Sequence, residues 1–338
     1  MRSQITIDLG ALRRNVKTLV QTIDGSELWA VVKGNGYGHG AADCAGAALA
    51  GGATALCVAT VGEALELRSA LPEARILVLG PSRMLDVARA RDARLELVAG
   101  PGAIPTDVPV HVKLDTGMGR WGLSELAAPE SNVVGVMTHL ATADGDLDFA
   151  RVQVERFRTA TEQWSNLTRH AANSAAALRL PESRFDAARC GIAIYGLSPF
   201  GTDASDDGLE PVLGWTSEIA QARLLRAGES TGYGRRFVAA HDTWVGIVPV
   251  GYADGFRRSL SGTELLVGDE RCTVVGTVSM DALAVELAGE RAPGTPVTIV
   301  GGALPLEAHA AHAGTITYEL ACGIDSSPAR ATRAVIDA

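Results

Sequence analysis

The sequence predicts an α/β protein. An N-terminal (β/α)8 TIM-like barrel is expected over residues 8–210, and an all-β domain over 211–338 that the strand at 1–7 joins. Two observations carry this reading. Through the first two hundred residues, short apolar runs alternate with segments whose apolar positions recur at helical spacing, the order of parallel strands joined by helices. Past Pro211 helical periodicity becomes scarce, and Gly/Pro turns separate short strands. Between the two, the Asp- and Ser-rich stretch from Gly201 to Gly208 is a plausible exposed boundary loop.

The elements follow in order. Asp8 is placed to cap a helix through Leu9, Leu12, Val16, Leu19 and Ile23. The run Leu28-Trp29-Ala30-Val31-Val32 is a buried strand, stopped by Lys33 and the glycines after it. An Ala-rich helix spans about Ala41 to Ala50, the strand Ala55–Ala59 follows, and then comes a helix from Gly62 to Leu71 with Glu63, Glu66 and Arg68 outward. Ile76–Gly80 is a strand and Arg83–Ala93 a helix. Leu95–Ala99 and Val110–Asp115 are strands joined by a Gly/Pro loop, Gly100–Pro105. Val133–His139 is another strand, with a long helix over about Phe149 to Trp164. In the second half Thr243–Val248, Glu264–Val267, Cys272–Val275 and Pro296–Val300 read as strands of a sandwich-like or barrel-like domain, with one helix at Leu306–Ala313.

Composition narrows the function. The 338 residues are 47% hydrophobic and 20% charged, with a net charge of −9, which argues against a nucleic-acid groove. No apolar stretch reaches the roughly 20 residues of a membrane span, and the first residues lack a signal-peptide core, so a cytoplasmic protein is expected. The five cysteines are scattered without C-x-x-C and read as buried free thiols; no metal is expected.

Lys33 is the most informative residue. A strand-end side chain of a β/α barrel emerges where such folds place their chemistry. A lysine there, partly dehydrated by the core, can offer a free amine and form a Schiff base with an aldehyde. The plain alternative is a solvated cap. Gly36-Tyr37-Gly38-His39-Gly40-Ala41 also fits the loose dinucleotide fingerprint, but the next strand ends in Thr60 where an acid would bind a ribose.

Further along, the strand ends form an ordered set that resembles bacterial alanine racemases from end to end. Ala30 to Gly40 resembles that family's cofactor-lysine motif. Similar signatures follow in order at Lys113–Arg120, Thr138–Asp144, His170–Ser174, Arg189–Gly196, Gly232–Gly234, Val250–Gly255 and Ser279–Asp281. The resemblance implies pyridoxal 5'-phosphate, an amino-acid substrate, and a homodimer whose active sites are shared across the interface.

It also implies roles. Lys33 carries the cofactor and acts as acid/base on one face of the substrate's Cα. Tyr37, Ser174, the backbone amides of Gly191 and Ile192, and Tyr318 cradle the phosphate, with Asn173 beside them. Arg189 faces the pyridine nitrogen. Guanidinium has only donors, so that nitrogen stays unprotonated and the ring is a weaker electron sink, which favours racemisation over transamination. His170 supports Arg189. Tyr233 is the second base on the opposite face, and His139 contacts it. Arg120 and the Met280 backbone receive the substrate carboxylate, Lys113 is a candidate for carbamylation that orients Arg120, and Tyr252 and Tyr318 narrow the entrance.

Three departures stand out. Gly34 and Gly36 replace what is mostly alanine, which predicts a looser loop under Tyr37. The segment between Val98 and Val110 is short. Thr277 occupies a corridor position where arginine is common, whereas Asp144, Arg258 and Ile316 match. The activity implied is interconversion of L- and D-alanine, supplying D-alanine for peptidoglycan. The alternatives are a serine or broad-specificity racemase on the same fold, a decarboxylase of the same class, against which Arg189 and Ser279 argue, and a non-enzymatic cofactor carrier of the barrel type, against which the C-terminal β domain argues.

Overall fold

The structure, a computed structural model, describes residues 2–100, 104–164 and 166–338. It divides into two compact units, Gly10–Glu210 and the N-terminal segment through Leu9 together with Pro211–Ala338. The chain opens with β1 (Gln4–Asp8) and α1 (Leu9–Thr22). Leu12, Val16 and Leu19 lie on one face of α1, and with Ile23 just beyond they are fully buried. Burial of each such side chain contributes about 1.5–3 kcal/mol before entropy is subtracted.

The first unit is a nearly closed barrel of eight parallel strands. They are β2 (Glu27–Val31), β3 (Ala55–Val58), β4 (Ile76–Val78), β5 (Glu96–Ala99), β6 (Val110–Lys113), β7 (Val133–Met137), β8 (Thr168–His170) and β9 (Ala187–Cys190). Pairing runs β8-β7-β6-β5-β4-β3-β2-β9, and the seam between β8 and β9 is bridged by Asp186 N–H to Arg169 O at 3.0 Å and Arg189 N–H to Ala172 O at 2.9 Å. Trp29 and Arg189 are register partners, so both sit at one level of the barrel wall.

Helices interrupt the strands unevenly. The short turn α2 (Lys33–Tyr37) and α3 (Ala41–Gly51) follow β2, α4 (Val61–Ala70) follows β3, and α5 (Met84–Asp92) follows β4. α6 (Leu147–Ala160) follows β7 and α7 (Ser174–Arg179) follows β8. Among the described residues no helix lies between β5 and β6 or between β6 and β7. Of the expected bare loop Gly100–Pro105, residues 101–103 lie outside the described residues.

Glu63 and Arg68 do not face outward. The Glu63 carboxylate turns back to accept from the amides of Gly34, Ala59 and Thr60 at 2.8, 2.7 and 3.2 Å. Arg68 donates to the carbonyls of Leu71, Pro72, Ala74, Ala93 and Arg94. Helical spacing places a charged residue on a face but does not show that loop backbone beyond the helix end needs its hydrogen bonds.

The second unit is built on one nine-stranded sheet. Its strands after β1 are β10 (Leu213–Glu218), β11 (Gln221–Leu225), β14 (Thr243–Val248), β15 (Glu264–Val267), β16 (Glu270–Val275), β17 (Leu283–Leu287), β18 (Pro296–Val300) and β19 (Thr332–Ile336). A separate small hairpin pairs β12 (Ser230–Thr231) with β13 (Phe237–Val238). The order is β11-β14-β17-β16-β15-β18-β10-β1-β19, antiparallel except where β1 meets β19. The unit is all-β as expected, and its nine strands hydrogen-bond in one continuous order. The helix α8 (Leu306–Ala313) matches expectation, while α9 (Thr317–Gly323), which carries Tyr318, has no apolar period long enough to foresee. Four of the five cysteines are buried and all are free.

Candidate active site

Lys33 leaves the end of β2 into a left-handed turn. Gly34, Asn35, Gly36 and Tyr37 have φ of 60°, 52°, 64° and 52° in succession. A side chain in that region costs about 1–2 kcal/mol per residue for L-amino acids. Glycine at 34 and 36 relieves this, so the two glycines fit a fixed left-handed geometry and do not loosen the loop. Glu63 pins the turn from below through the Gly34 amide, and Asn35 Oδ1 accepts from Ala41 N–H at 3.0 Å.

Tyr37 is buried and its ring packs on Tyr195 with centroids 5.2 Å apart. Its hydroxyl reaches Gly191: a Cβ placed at residue 191 would lie 2.4 Å from Tyr37 Oη. Ser174 Oγ accepts from Gly191 N–H at 2.9 Å and from Ala193 N–H at 3.4 Å. Asn173 caps α7 through its side-chain oxygen, which accepts from Ala176 N–H at 3.0 Å. Two hydroxyls and the amides at the start of the 191–195 segment thus share one small region, a donor-rich place for an anion without a buried countercharge.

Arg189 is a buried, multiply hydrogen-bonded cation of the barrel. Nη1 donates to His170 Nδ1 and to His170 O, both at 2.8 Å. Nη2 donates to Thr138 O at 2.8 Å and Ala171 O at 3.1 Å, with His139 Nδ1 at 3.4 Å. All four Nη hydrogens are therefore used, and Nε is the donor that remains. Burial lowers the guanidinium to about 10, which leaves it protonated at neutral pH. His170 and His139 are both held well below the usual imidazole range, by burial first and by Arg189 second, so both are neutral. Buried Gln153 of α6 braces this edge, donating to His139 O at 3.3 Å and accepting from Ala141 N–H at 2.8 Å. The neighbouring thiols of Cys57 and Cys190 are pushed up to about 12 by burial and stay protonated.

Lys113, at the end of β6, is 2% exposed. Its amine lies 4.6 Å from the centre of the Trp121 ring, and the Arg120 guanidinium lies 4.4 Å from the same ring. Burial, with help from Arg120 and Arg189, lowers Lys113 to about 8. Trp121 is a platform that sequence reading missed; only its position after Arg120 hinted at it.

In the β unit, Tyr252 and Met280 are brought together. Tyr252 N–H donates to Ser279 O and Ala253 N–H to Met280 O, each at 3.0 Å. A Cβ at Gly251 would meet Ser279 O at 2.3 Å, so this approach needs glycine. The buried Asp254 locks the junction, accepting from Gly251 N–H at 2.8 Å, Arg2 at 3.0 Å and Arg330 at 2.9 Å. Arg2 and Arg330 also reach Asp281. Tyr233 stands on the hairpin between β12 and β13, 74% exposed. Its carbonyl accepts from Thr277 Oγ1 at 3.1 Å, so the residue that replaces an arginine steadies the Tyr233 turn. Tyr318 is half-buried on α9, and Ile316 before it is exposed.

Fold and site together define an enzyme of the β/α-barrel class with an added β unit, and the comparisons with known proteins say which. The model of the alanine racemase N-terminal domain matches residues 7–199, and that of the C-terminal domain residues 212–332. "Alanine racemase 1" of Bacillus subtilis is 40% identical over 95% of this chain and 90% of its own. The crystal structure of alanine racemase from E. faecalis superposes with a TM-score of 0.91 at 36% identity, covering 99% of this chain and 98% of that one. That of Bartonella henselae, titled as holding covalently bound pyridoxal phosphate, superposes at 0.89 with 25% identity, covering 99% of this chain and all of the other. The chain belongs to the alanine racemase family, and with it to the isomerases. The resemblance read from the ordered motifs is borne out.

Proposed function

We propose that this protein interconverts L- and D-alanine with pyridoxal 5'-phosphate held by Lys33. The arrangement around Arg189 carries the reading. With every Nη hydrogen committed to protein acceptors, the Nε–H is a single directed donor, suited to an unprotonated ring nitrogen. Beside it, Tyr37 Oη approaches the Gly191 backbone so closely that a Cβ there would lie 2.4 Å away, and Ser174 Oγ reaches the same backbone; these hydroxyls with the Gly191 and Ile192 amides would take the phosphate.

Bound in this way, the cofactor supplies the electron sink that makes an amino acid's Cα–H acidic. The remaining work belongs to the protein. Lys33 Nζ holds and moves the Cα proton on one face, and Tyr233 Oη does so on the other. Tyr233 comes across a homodimer interface, in keeping with its exposure on the hairpin. His139, with Nδ1 turned to the donor-only Arg189, keeps its proton on Nε2, from where it can steady the tyrosine oxygen. Arg120, seated on Trp121, takes the substrate carboxylate in two-point fashion, with the Met280 backbone. Lys113, lowered to about 8 with its amine in reach of carbon dioxide as a free base, is assigned as a carbamylation site that orients Arg120. Tyr252 and Tyr318 limit the side chain to the size of a methyl.

The product would serve peptidoglycan synthesis in the cytoplasm. Initial rates with L-alanine and L-serine test the assignment: kcat/KM is expected to be higher for alanine. Faster turnover of serine, or release of carbon dioxide from basic amino acids, would overturn it.

A further inference from the structure

Behind Arg189 and His170 the barrel interior continues in a file of polar side chains to which the proposed chemistry gives no role. Arg189 Nη1 donates to His170 Nδ1 at 2.8 Å. His170 Nε2 lies 2.9 Å from His111 Nδ1, and His111 Nε2 lies 2.8 Å from Glu96 Oε2. Glu96 in turn pairs with Arg75, whose Nε is 2.7 Å from Oε1. His111 and His170 are fully buried, and the Glu96 side chain is 17% exposed.

Only one proton arrangement satisfies this file. Guanidinium cannot accept, so His170 Nδ1 is bare and its proton sits on Nε2. That proton points at His111 Nδ1, which is therefore also bare, and the His111 proton sits on Nε2 and goes to the carboxylate. An imidazolium at either ring would bring two donors face to face. Electrostatics agree: burial lowers both histidines, and Glu96 is held at about 2, its hydrogen bonds from His111 and Arg75 outweighing burial. The barrel is also shaped for the file. A Cβ at Gly135 of β7 would lie 2.2 Å from His111 Nδ1, so this strand omits a side chain where the imidazole enters.

We propose that Glu96 and His111 are positioning residues for the racemase site, the terminal acceptor and the link of a one-way hydrogen-bond chain that fixes the Arg189 guanidinium and leaves its Nε–H for the ligand. The inference rests on the functional reading above for what that Nε–H meets. The chain itself is a property of the protein's own residues. Arg189 has no carboxylate in direct contact among the described residues, so the anion that answers its charge is reached through two neutral imidazoles.

The direct test reads ring protons in the purified full-length protein by nitrogen-15 shifts of its seven histidines. His111 and His170 are both expected neutral with the proton on Nε2; a proton on Nδ1 of either overturns the chain. Variants supply the second test. Glu96→Leu removes the acceptor and is expected to lower kcat about 10- to 100-fold, the usual range for a partner that orients a site group, with KM within about twofold and a displaced visible cofactor band. Gly135→Ala, which crowds His111, is expected to displace the band in the same direction. Arg83→Met, which alters an exposed pair outside the file, is expected to leave kcat and band near wild type. A Glu96→Leu protein with unaltered kcat and spectrum, or an Arg83→Met protein as damaged as Glu96→Leu, overturns the proposal. A protein with no cofactor band at all would sink the functional reading, while the ring tautomers would still decide the chain.

Discussion

Gly191→Ala separates the proposed phosphate cradle from a merely tidy loop. The added methyl would sit 2.4 Å from Tyr37 Oη and 3.0 Å from Tyr37 Cζ, about 1 Å inside ordinary carbon–oxygen contact. Tyr37 has little room to yield, because its backbone is held at φ +52° and its ring packs on Tyr195. Crowding of this kind costs about 1–3 kcal/mol, and at about 1.4 kcal/mol per tenfold that is about 5- to 150-fold in cofactor affinity if the strain falls on the bound state. Equilibrium titration of apoprotein with pyridoxal phosphate, followed by absorbance, measures it. Combining the change with Tyr37→Phe removes the closest atom, so the double variant should lose less than the sum of the singles. A Gly191→Ala protein that binds cofactor as tightly as wild type, with strictly additive losses, refutes the reasoning.

Further outcomes follow from the same geometry. Gly36→Ala should destabilise the barrel unit by about 1–2 kcal/mol in guanidinium unfolding, since φ is +64° and the new Cβ meets Ala41 N at 3.2 Å. Stability should fall as pH drops below about 6.5, because His111 and His170 are depressed when folded and the unfolded chain binds their protons first. Each accounts for up to about 1.4 kcal/mol at pH 5.5, so unfolding at pH 7.5 and 5.5 should differ in that direction. Tyr233→Phe should abolish racemisation both ways while solvent exchange of the Cα proton survives from one enantiomer only. If both directions persist, the two-base assignment falls. Trp121→Leu should raise KM for alanine more than it lowers kcat, because the ring seats Arg120.

Much of the barrel was legible because its strands are apolar on both faces and its glycines punctuate them. Lys33 could be found from one strand and the turn behind it. The environment of the polar, inward residues is harder to read. His111 and Lys113 alternate in the run Val110-His111-Val112-Lys113, so period two put both on one face, but nothing local told whether that face was core or solvent. Glu96 reads as a strand-end charge until β6 is placed beside β5 and supplies its imidazole partner. Glu63 was misplaced for the same reason: its acceptors belong to the Lys33 turn, 29 residues away in sequence. Contacts across strands carry no period. In the β unit, Thr277 looked like a lost arginine, whereas its hydroxyl steadies the Tyr233 carbonyl across the hairpin.

The sharpest measurement uses the chain's scarcity of lysine, which occurs only at positions 17, 33 and 113. Borohydride reduction of the purified yellow protein, followed by peptide mass spectrometry, should place the pyridoxyl adduct on Lys33 alone and bleach the violet band with it. An adduct on Lys17 or Lys113, or a reconstituted protein that gives none, would contradict the account at its root.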